Sequence, residues 1–251
     1  MSFAPDALSD DAFLGGAVRL WQPKTGYRAA MDPVLLAAAI PARSGEAVLE
    51  LGCGAGTAAI CLAARVDGLT LAGLEIQPEY ADLARRNAGR NGVALEVVEG
   101  DLAAMPADLR ARSFDHVIAN PPYFDPAGTA ASDPGRDLAM REATPLAEWV
   151  AAGLKRLRPG GRITLIQAAD RLPDLLGALG RGAGSVTVLP IAPRTGRPAR
   201  RVIVTARKRG RGAFRLLAPL VLHASPVHAG DGEDFTDAAR AILRDGGALP
   251  I

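Results

Sequence analysis

The chain is short of several residue types, and each shortage removes a class of protein. Two cysteines among 251 residues, Cys53 and Cys61, build no disulfide framework and fit no metal-ligand spacing. The three histidines, His116, His223 and His228, are scattered, so no zinc signature forms and no metal is expected. The longest uncharged runs, such as Leu216–Gly230, are broken by Pro, Ser and His and fall short of a membrane span. Met1–Asp11 is mildly acidic and has no charged-then-apolar leader pattern. These absences predict a soluble chain in the reducing cytoplasm. No repeat or low-complexity linker is present, and 49% hydrophobic against 22% charged residues excludes wholesale disorder.

The most informative shortage is local. Between Leu175 and Gly230 there is no Asp or Glu, while ten Arg and Lys fall there. The rest of the chain carries 19 basic against 27 acidic residues, so a net charge of +2 conceals a basic segment on an acidic body. Such asymmetry predicts an anionic partner. Lysine occurs only at Lys24, Lys155 and Lys208, so arginine supplies nearly all of that charge.

What is present is strand–helix alternation. β-rich runs fall at Ala47–Leu51, Thr70–Leu74, Leu95–Val98, Asp115–Ala119, Arg162–Gln167, Ser185–Ile191 and Val202–Ala206. Helical patterns lie between them at Ala58–Arg65, Pro78–Asn91, Pro145–Leu157 and Arg171–Gly180. The expected fold is α/β, a seven-stranded, mostly parallel Rossmann-like sheet with helices on both faces. No helix separates the last two strands, so the last strand is expected antiparallel, at the edge. Residues 1–45 and 211–251 are extensions on a core of 46–210, the whole forming one domain. Apolar helical patterns occupy Pro33–Ile40 in the first extension and Asp234–Leu243 in the second.

Two loops carry the chemistry. The first, Glu50-Leu51-Gly52-Cys53-Gly54-Ala55-Gly56, leaves one strand and opens a helix, a place where a ligand approaches backbone that a side chain would block. Glu75 ends the next strand about 20 residues on, where a carboxylate can accept from ribose hydroxyls. Gly100-Asp101 follows the third strand and puts another carboxylate at the same sheet edge. This pattern resembles class I S-adenosylmethionine-dependent methyltransferases. The resemblance implies that Gly52, Gly54 and Gly56 hold the methionine part of the cofactor and Glu75 its ribose. It implies that Asp101 meets the adenine, with Glu50, Cys53, Ile76, Leu102 and Asn120 as further contacts.

The second loop, Asn120-Pro121-Pro122-Tyr123-Phe124, follows the fourth strand. An exocyclic amine is a poor nucleophile because its lone pair is delocalised into the ring. The Asn120 side-chain oxygen and the Pro121 carbonyl can accept its two N–H bonds and draw it out of conjugation. Pro121 and Pro122 fix φ, so those acceptors are preorganised. Tyr123 and Phe124 can stack on a base. The loop resembles the Asn/Asp-Pro-Pro-Tyr/Phe motif of amino-methyltransferases, which act on adenine N6, guanine N2 or a glutamine amide.

Only 49 residues precede Glu50, too few for the helical substrate domain of the glutamine methyltransferases, and no DNA target-recognition block is visible. The stretch Phe13-Leu14-Gly15-Gly16, Gln22-Pro23-Lys24-Thr25-Gly26-Tyr27-Arg28 and Asp32-Pro33-Val34-Leu35-Leu36-Ala37 is similar to the start of the bacterial tRNA1(Val) adenine-N6 methyltransferases. The likeness continues through Asn120–Phe124, Arg136 to Arg141, Arg200–Val204, Leu216–Leu222 and Phe235–Leu243. Phe124 stands where some members have a second Tyr. The resemblance implies S-adenosylmethionine as cofactor and tRNA as partner, with residues 1–45 folded over the pocket. Gln22, Lys24, Tyr27 and Arg28 are then pocket-rim candidates, Trp21 a rim or core residue, and Asp32 either a pocket contact or a helix N-cap. Phe124, Arg28, Arg136, Arg141, Arg194, Arg197, Arg200 and Arg201 are the expected RNA contacts, and Arg207–Arg211 a further exposed basic loop.

Overall fold

Glycine turns separate runs of Val, Leu and Ile too short for helices, and these runs become strands. The computed structural model describes residues 2–123, 144–226 and 234–251. The chain begins with a hairpin of β1 (Leu8–Phe13) and β2 (Val18–Pro23), then helix α1 (Asp32–Ala38). There follow β3 (Ala47–Leu51), α2 (Thr57–Ala63), β4 (Thr70–Glu75), α3 (Pro78–Arg90), β5 (Leu95–Glu99), the short α4 (Ala107–Arg110) and β6 (Phe114–Ala119). Next come α5 (Leu146–Arg156), β7 (Leu157–Ala168), α6 (Leu172–Leu179), β8 (Ala183–Arg194) and β9 (Arg201–Lys208). Two short strands, β10 (Arg215–Leu216) and β11 (Leu220–His223), and helix α7 (Asp237–Leu243) complete it.

The sheet has nine strands in the order β10-β8-β9-β7-β6-β3-β4-β5, with β11 also on β8. Strands β3 to β7 are parallel; β9 pairs antiparallel with both β7 and β8. Alternate side chains serve opposite faces, as pleating requires. Val48, Ile118, Ile166 and Ile203 pack on the face covered by α1, α2 and α7. Leu49, Val117, Leu165 and Val204 pack on the other, under Leu109 of α4, Val150 of α5 and Leu175 of α6.

All seven expected strands are present, and two differences stand out. The antiparallel strand is interior, because β8 passes beyond β9 and is itself flanked by β10 and β11. Residues 211–223 therefore extend the sheet, through pairings too short to leave a periodic signal. The β1–β2 hairpin carries acids at Asp10 and Asp11 that mask its alternation. It docks on α3 through Asn87, a fully buried amide that accepts from the Trp21 N–H (2.8 Å) and donates to the Trp21 carbonyl (3.0 Å). Trp21 thereby packs under Arg86 and Arg90 as part of the scaffold.

Candidate active site

Strand order reverses between β3 and β6: the chain steps outward to β4 and β5 on one side and to β7 on the other. A crevice opens at the carboxyl ends of parallel strands at such a switch point. Here it is a pocket of about 420 Å³, lined from the ends of β3, β4 and β6, by residues 27–30 between β2 and α1, and by Asp32 and Pro33 at the start of α1. Aromatics make up 4% of the chain, yet all three tyrosines, Tyr27, Tyr80 and Tyr123, and one of the two tryptophans, Trp149, line this pocket.

The glycine loop forms one wall. Gly52, Gly54 and Gly56 have φ of 63°, 53° and 83°, the left-handed region that a side chain disfavours. A Cβ on Gly52 would stand 2.6 Å from the Trp149 indole, so close packing also demands glycine there. A Cβ on Gly54 would meet nothing nearer than 3.9 Å, so its glycine serves the backbone turn and leaves room on the pocket side. Cys53 is buried against Gly73 of β4, and burial raises its thiol well above the ordinary range; it is packing, not a nucleophile.

Two carboxylates meet behind that loop. Glu75 accepts from the Gly54 N–H (2.8 Å) and the Gln77 N–H (2.9 Å) through different oxygens, with the Ile76 N–H also directed at it, and keeps acceptor capacity beyond these. Burial raises its pKa. Glu50 accepts from the Ala59 N–H (3.0 Å), and burial, with Glu75 adding to it, pushes its carboxyl up to about 8. Two buried acids on one wall favour a ligand that brings positive charge and hydroxyl donors.

The Asn-Pro-Pro-Tyr loop forms the opposite wall. The Asn120 amide nitrogen donates to the Tyr27 hydroxyl (3.3 Å), while its oxygen is buried and has no partner among the described residues. A buried unpaired acceptor costs about 1–3 kcal/mol, which a ligand donor would recover. Gln167, fully buried on β7, donates to the Pro122 carbonyl (3.2 Å) and accepts from the Ala168 N–H (2.8 Å), pinning the loop to the sheet. The Tyr123 hydroxyl donates to Asp32 (2.9 Å), whose other oxygen pairs with Arg201 (2.6 Å). Burial and the Asp32 charge raise the Tyr123 pKa, so the phenol stays a neutral donor and its ring is held by that bond. Asp32 therefore locks a tyrosine; it makes no capping bond on α1.

The other expected site residues divide. Ile76 lines the pocket and is 55% exposed. Asp101 and Leu102 do not line it, and Asp101 accepts from the Ala103 N–H (2.8 Å). Arg28 lines it, but its guanidinium pairs with Asp11 (2.5 Å) and donates to Ser9 and the Pro23 carbonyl. Gln22 is buried and ties Asp11 to Ala29, and Lys24 donates to the Asp6 carbonyl, so both brace the segment over the pocket. Arg194 pairs with Asp234 (2.7 Å) and donates to the Ser225 carbonyl. Arg197 and Arg200 are exposed on the β8–β9 turn. Phe124, Arg136 and Arg141 lie outside the described residues. Gln167, Trp149 and Thr57 were not singled out from sequence. The signal for Gln167 was a lone amide inside the apolar run Thr164-Leu165-Ile166, since a buried amide must have partners.

The family model of the methyltransferase small domain matches residues 31–176, more than half of the chain. The chain belongs to the methyltransferase small domain family. A tRNA1(Val) (adenine(37)-N6)-methyltransferase of Dickeya chrysanthemi is 27% identical over 85% of this chain and 85% of its own length. The enzyme of the same name from Bacteroides fragilis is 28% identical over 74% of this chain and 79% of its own. Among solved structures, a predicted O-methyltransferase of Agrobacterium tumefaciens superposes with TM-score 0.72 at 27% identity, covering 88% of this chain and 99% of that one. The 16S rRNA N2 G1207 methyltransferase of T. thermophilus, in complex with AdoMet and guanosine, shares the fold at TM-score 0.56 and 20% identity, covering 80% of this chain and 50% of that one.

This methyltransferase uses S-adenosylmethionine, and its residues fit that cofactor. Glu75 keeps acceptor capacity for a ribose hydroxyl, Gly54 leaves the loop backbone open, and the paired acids suit a cationic ligand. Thr57 adds a buried hydroxyl oxygen on the same wall, without a partner among the described residues. Among the described residues, no helix is long and apolar enough to cross a membrane.

Proposed function

We propose that this methyltransferase methylates the N6 amine of an adenine in tRNA, in the cytoplasm, next to the anticodon of a valine tRNA. One observation carries the reading. The buried, unpaired Asn120 oxygen stands in the pocket beside Tyr123, where a planar amine would need an acceptor. S-adenosylmethionine supplies an electrophilic methyl group on a sulfonium. The chain supplies position: Asn120 and the Pro121 carbonyl accept the amine hydrogens and localise the nitrogen lone pair, and the Tyr123 ring carries the base. With the cofactor bound, its sulfonium methyl would go to the nitrogen so presented, the carbon–sulfur bond would break, and the nitrogen's proton would leave to water, so that no strong base is needed from the chain. The names of the similar enzymes support adenine in tRNA. An anticodon-loop base is already partly unstacked, so exposing it costs less. In this reading residues 1–45 cover the pocket, 46–210 hold the chemistry and 211–251 brace the sheet.

Methyl transfer to a hydroxyl, as the Agrobacterium protein's name suggests for that protein, requires a base to take the hydroxyl proton. On the Asn-Pro-Pro-Tyr wall the carboxylate is Asp32, which is taken by Arg201 and Tyr123; Glu50 and Glu75 lie on the glycine-loop wall, where they accept from the Ala59, Gly54 and Gln77 N–H groups and are assigned to the cofactor. That arrangement favours an amine. The test is incubation with labelled S-adenosylmethionine and total tRNA from a strain lacking the enzyme, followed by nucleoside mass spectrometry. N6-methyladenosine beside a valine anticodon is expected. Label in N2-methylguanosine, DNA adenine, glutamine or a methyl ether overturns the reading.

A further inference from the structure

The ten basic residues of the acid-free stretch do not form one surface. Strand β9 begins with Arg201 in the pocket and ends at Arg207 and Lys208, about 20–23 Å away at ~3.3 Å per residue. At that far end Arg207 lies directly opposite Arg162 of β7, a like-charge cross-strand pair that costs stability. Lys208 sits opposite Ala183, and the chain continues through Arg209, Arg211 and Arg215 up the outer edge of β8 as β10 and β11. Arg207, Arg209, Arg211 and Arg215 are exposed, and none pairs with an acid among the described residues. Elsewhere on the surface, Arg112 and Arg158 do pair, with Glu96 and Asp115. Arg207 adds to burial in lowering the Arg162 pKa, as Arg209 and Arg156 do for Lys208, so these cations feel one another.

The apolar pattern of this edge points the same way. Three large apolar side chains stand out as exposed among the described residues: Ile76, Phe214 at 55% and Leu216 at 65%. Ile76 lines the cofactor pocket; the other two flank Arg215 on the edge. Unmatched arginines with an exposed aromatic among them suit a polynucleotide, which offers phosphates at regular spacing and ring faces to stack on. We propose that the β9 end and β10 edge, from Arg207 to Leu216, form a second RNA-binding surface that holds the sugar-phosphate backbone of the RNA body far from the methylated base. This rests on the RNA reading above. The surface selects for RNA long enough to reach from the pocket to the edge.

The test uses the full chain and two probes, a mixed-sequence duplex RNA and total tRNA, titrated over a range of salt. In the variant R207Q/R209Q/R211Q/R215Q, the slope of log affinity against log salt should fall by about 3 to 4 for both probes, at ~0.9 per lost phosphate contact. Affinity at low salt should fall at least tenfold, and S-adenosylmethionine affinity should be unchanged. The matching variant with four lysines should recover most of the slope. Phe214→Ala, which leaves every charge in place, should weaken tRNA binding several-fold with no change in slope. A glutamine variant with the wild-type slope overturns the surface while leaving the methyl-acceptor reading intact. Wild type that binds duplex RNA through this edge but methylates no tRNA overturns that reading alone. Binding to phosphatidylserine vesicles without affinity for either RNA overturns the surface as well.

Discussion

The two ends of β9 carry the same kind of side chain and use it differently. Arg201 is paired with Asp32, which in turn holds Tyr123, so its charge is spent inside the pocket. Arg207, at the other end, stands between Arg162 of β7 and Gly184 of β8 and is exposed. The pattern extends outward from each. Near the pocket, Arg28 pairs with Asp11 and Arg194 with Asp234. Arg209, Arg211 and Arg215 at the far end have no acid beside them among the described residues. Arg201, Arg28 and Arg194 therefore work as tethers for groups that must not move, whereas Arg197 and Arg200 on the β8–β9 turn, like the arginines of the far end, are exposed and left for an outside partner. Unmatched charge, rather than charge alone, marks the surface.

The largest effect belongs to the pocket end. Asn120→Ala removes the unpaired acceptor and should lower methyl transfer roughly 10²–10³-fold, the scale for losing one preorganised polar group, with tRNA binding nearly intact. A rate within threefold of wild type would mean that Asn120 orients the loop and nothing more. Asp32→Ala comes next. It frees Tyr123 and leaves the half-buried Arg201 unpaired, so kcat should fall about 10–100-fold. In a double-mutant cycle with Arg201→Ala, the second change should cost little more than the first. Additive losses would show that Arg201 acts on the RNA independently, and the contrast between the two ends of β9 would then collapse.

How much of this was legible beforehand follows from how local each signal is. The parallel strands, the glycine loop, Glu75 and Asn120–Tyr123 are written in contiguous residues and in a period of two, so they could be read directly. The tether could not be read, because Asp32, Tyr123 and Arg201 come from three distant segments that meet only after β9 has inserted beside β7. Arg201 and Arg207 look alike in a sequence, and only the direction of β9 separates them. The edge strands β10 and β11 were invisible for another reason: runs of two and four residues are shorter than any period they could display.

The pocket's electrostatics offer a smaller test. Glu50 titrates at about 8 in the folded chain because it is buried, against about 4.3 when unfolded. A carboxyl whose pKa rises on folding stabilises fully below its unfolded value, and that contribution is lost as pH rises through the folded value. Glu50→Gln does not titrate. Without cofactor, the Tm of the variant minus that of wild type should therefore grow by a few degrees from pH 5 to pH 8.5, while its affinity for the cationic cofactor falls. A difference that is flat with pH would mean that Glu50 is solvated enough to ionise normally.

The smallest predicted effect separates the two ends most cleanly, because its two readouts move in opposite directions. Arg209 holds a φ of 56°, a conformation that costs a residue bearing Cβ about 1 kcal/mol and costs glycine nothing. Glycine also gives the unfolded chain more freedom, which offsets part of the gain, so Arg209→Gly should stabilise the fold by at most about 0.5–1 kcal/mol. The same change removes one unmatched charge and should lower the salt slope for RNA by ~0.9. Arg194→Ala should do the reverse: it breaks the pair with Asp234 and the bond to the Ser225 carbonyl and should lower the Tm, leaving the salt slope untouched. A strained arginine that weakens the fold and strengthens binding is what a surface kept for a partner requires. If Arg209→Gly left RNA binding unchanged, the strain would belong to the turn alone, and the far end of β9 would lose its claim to function.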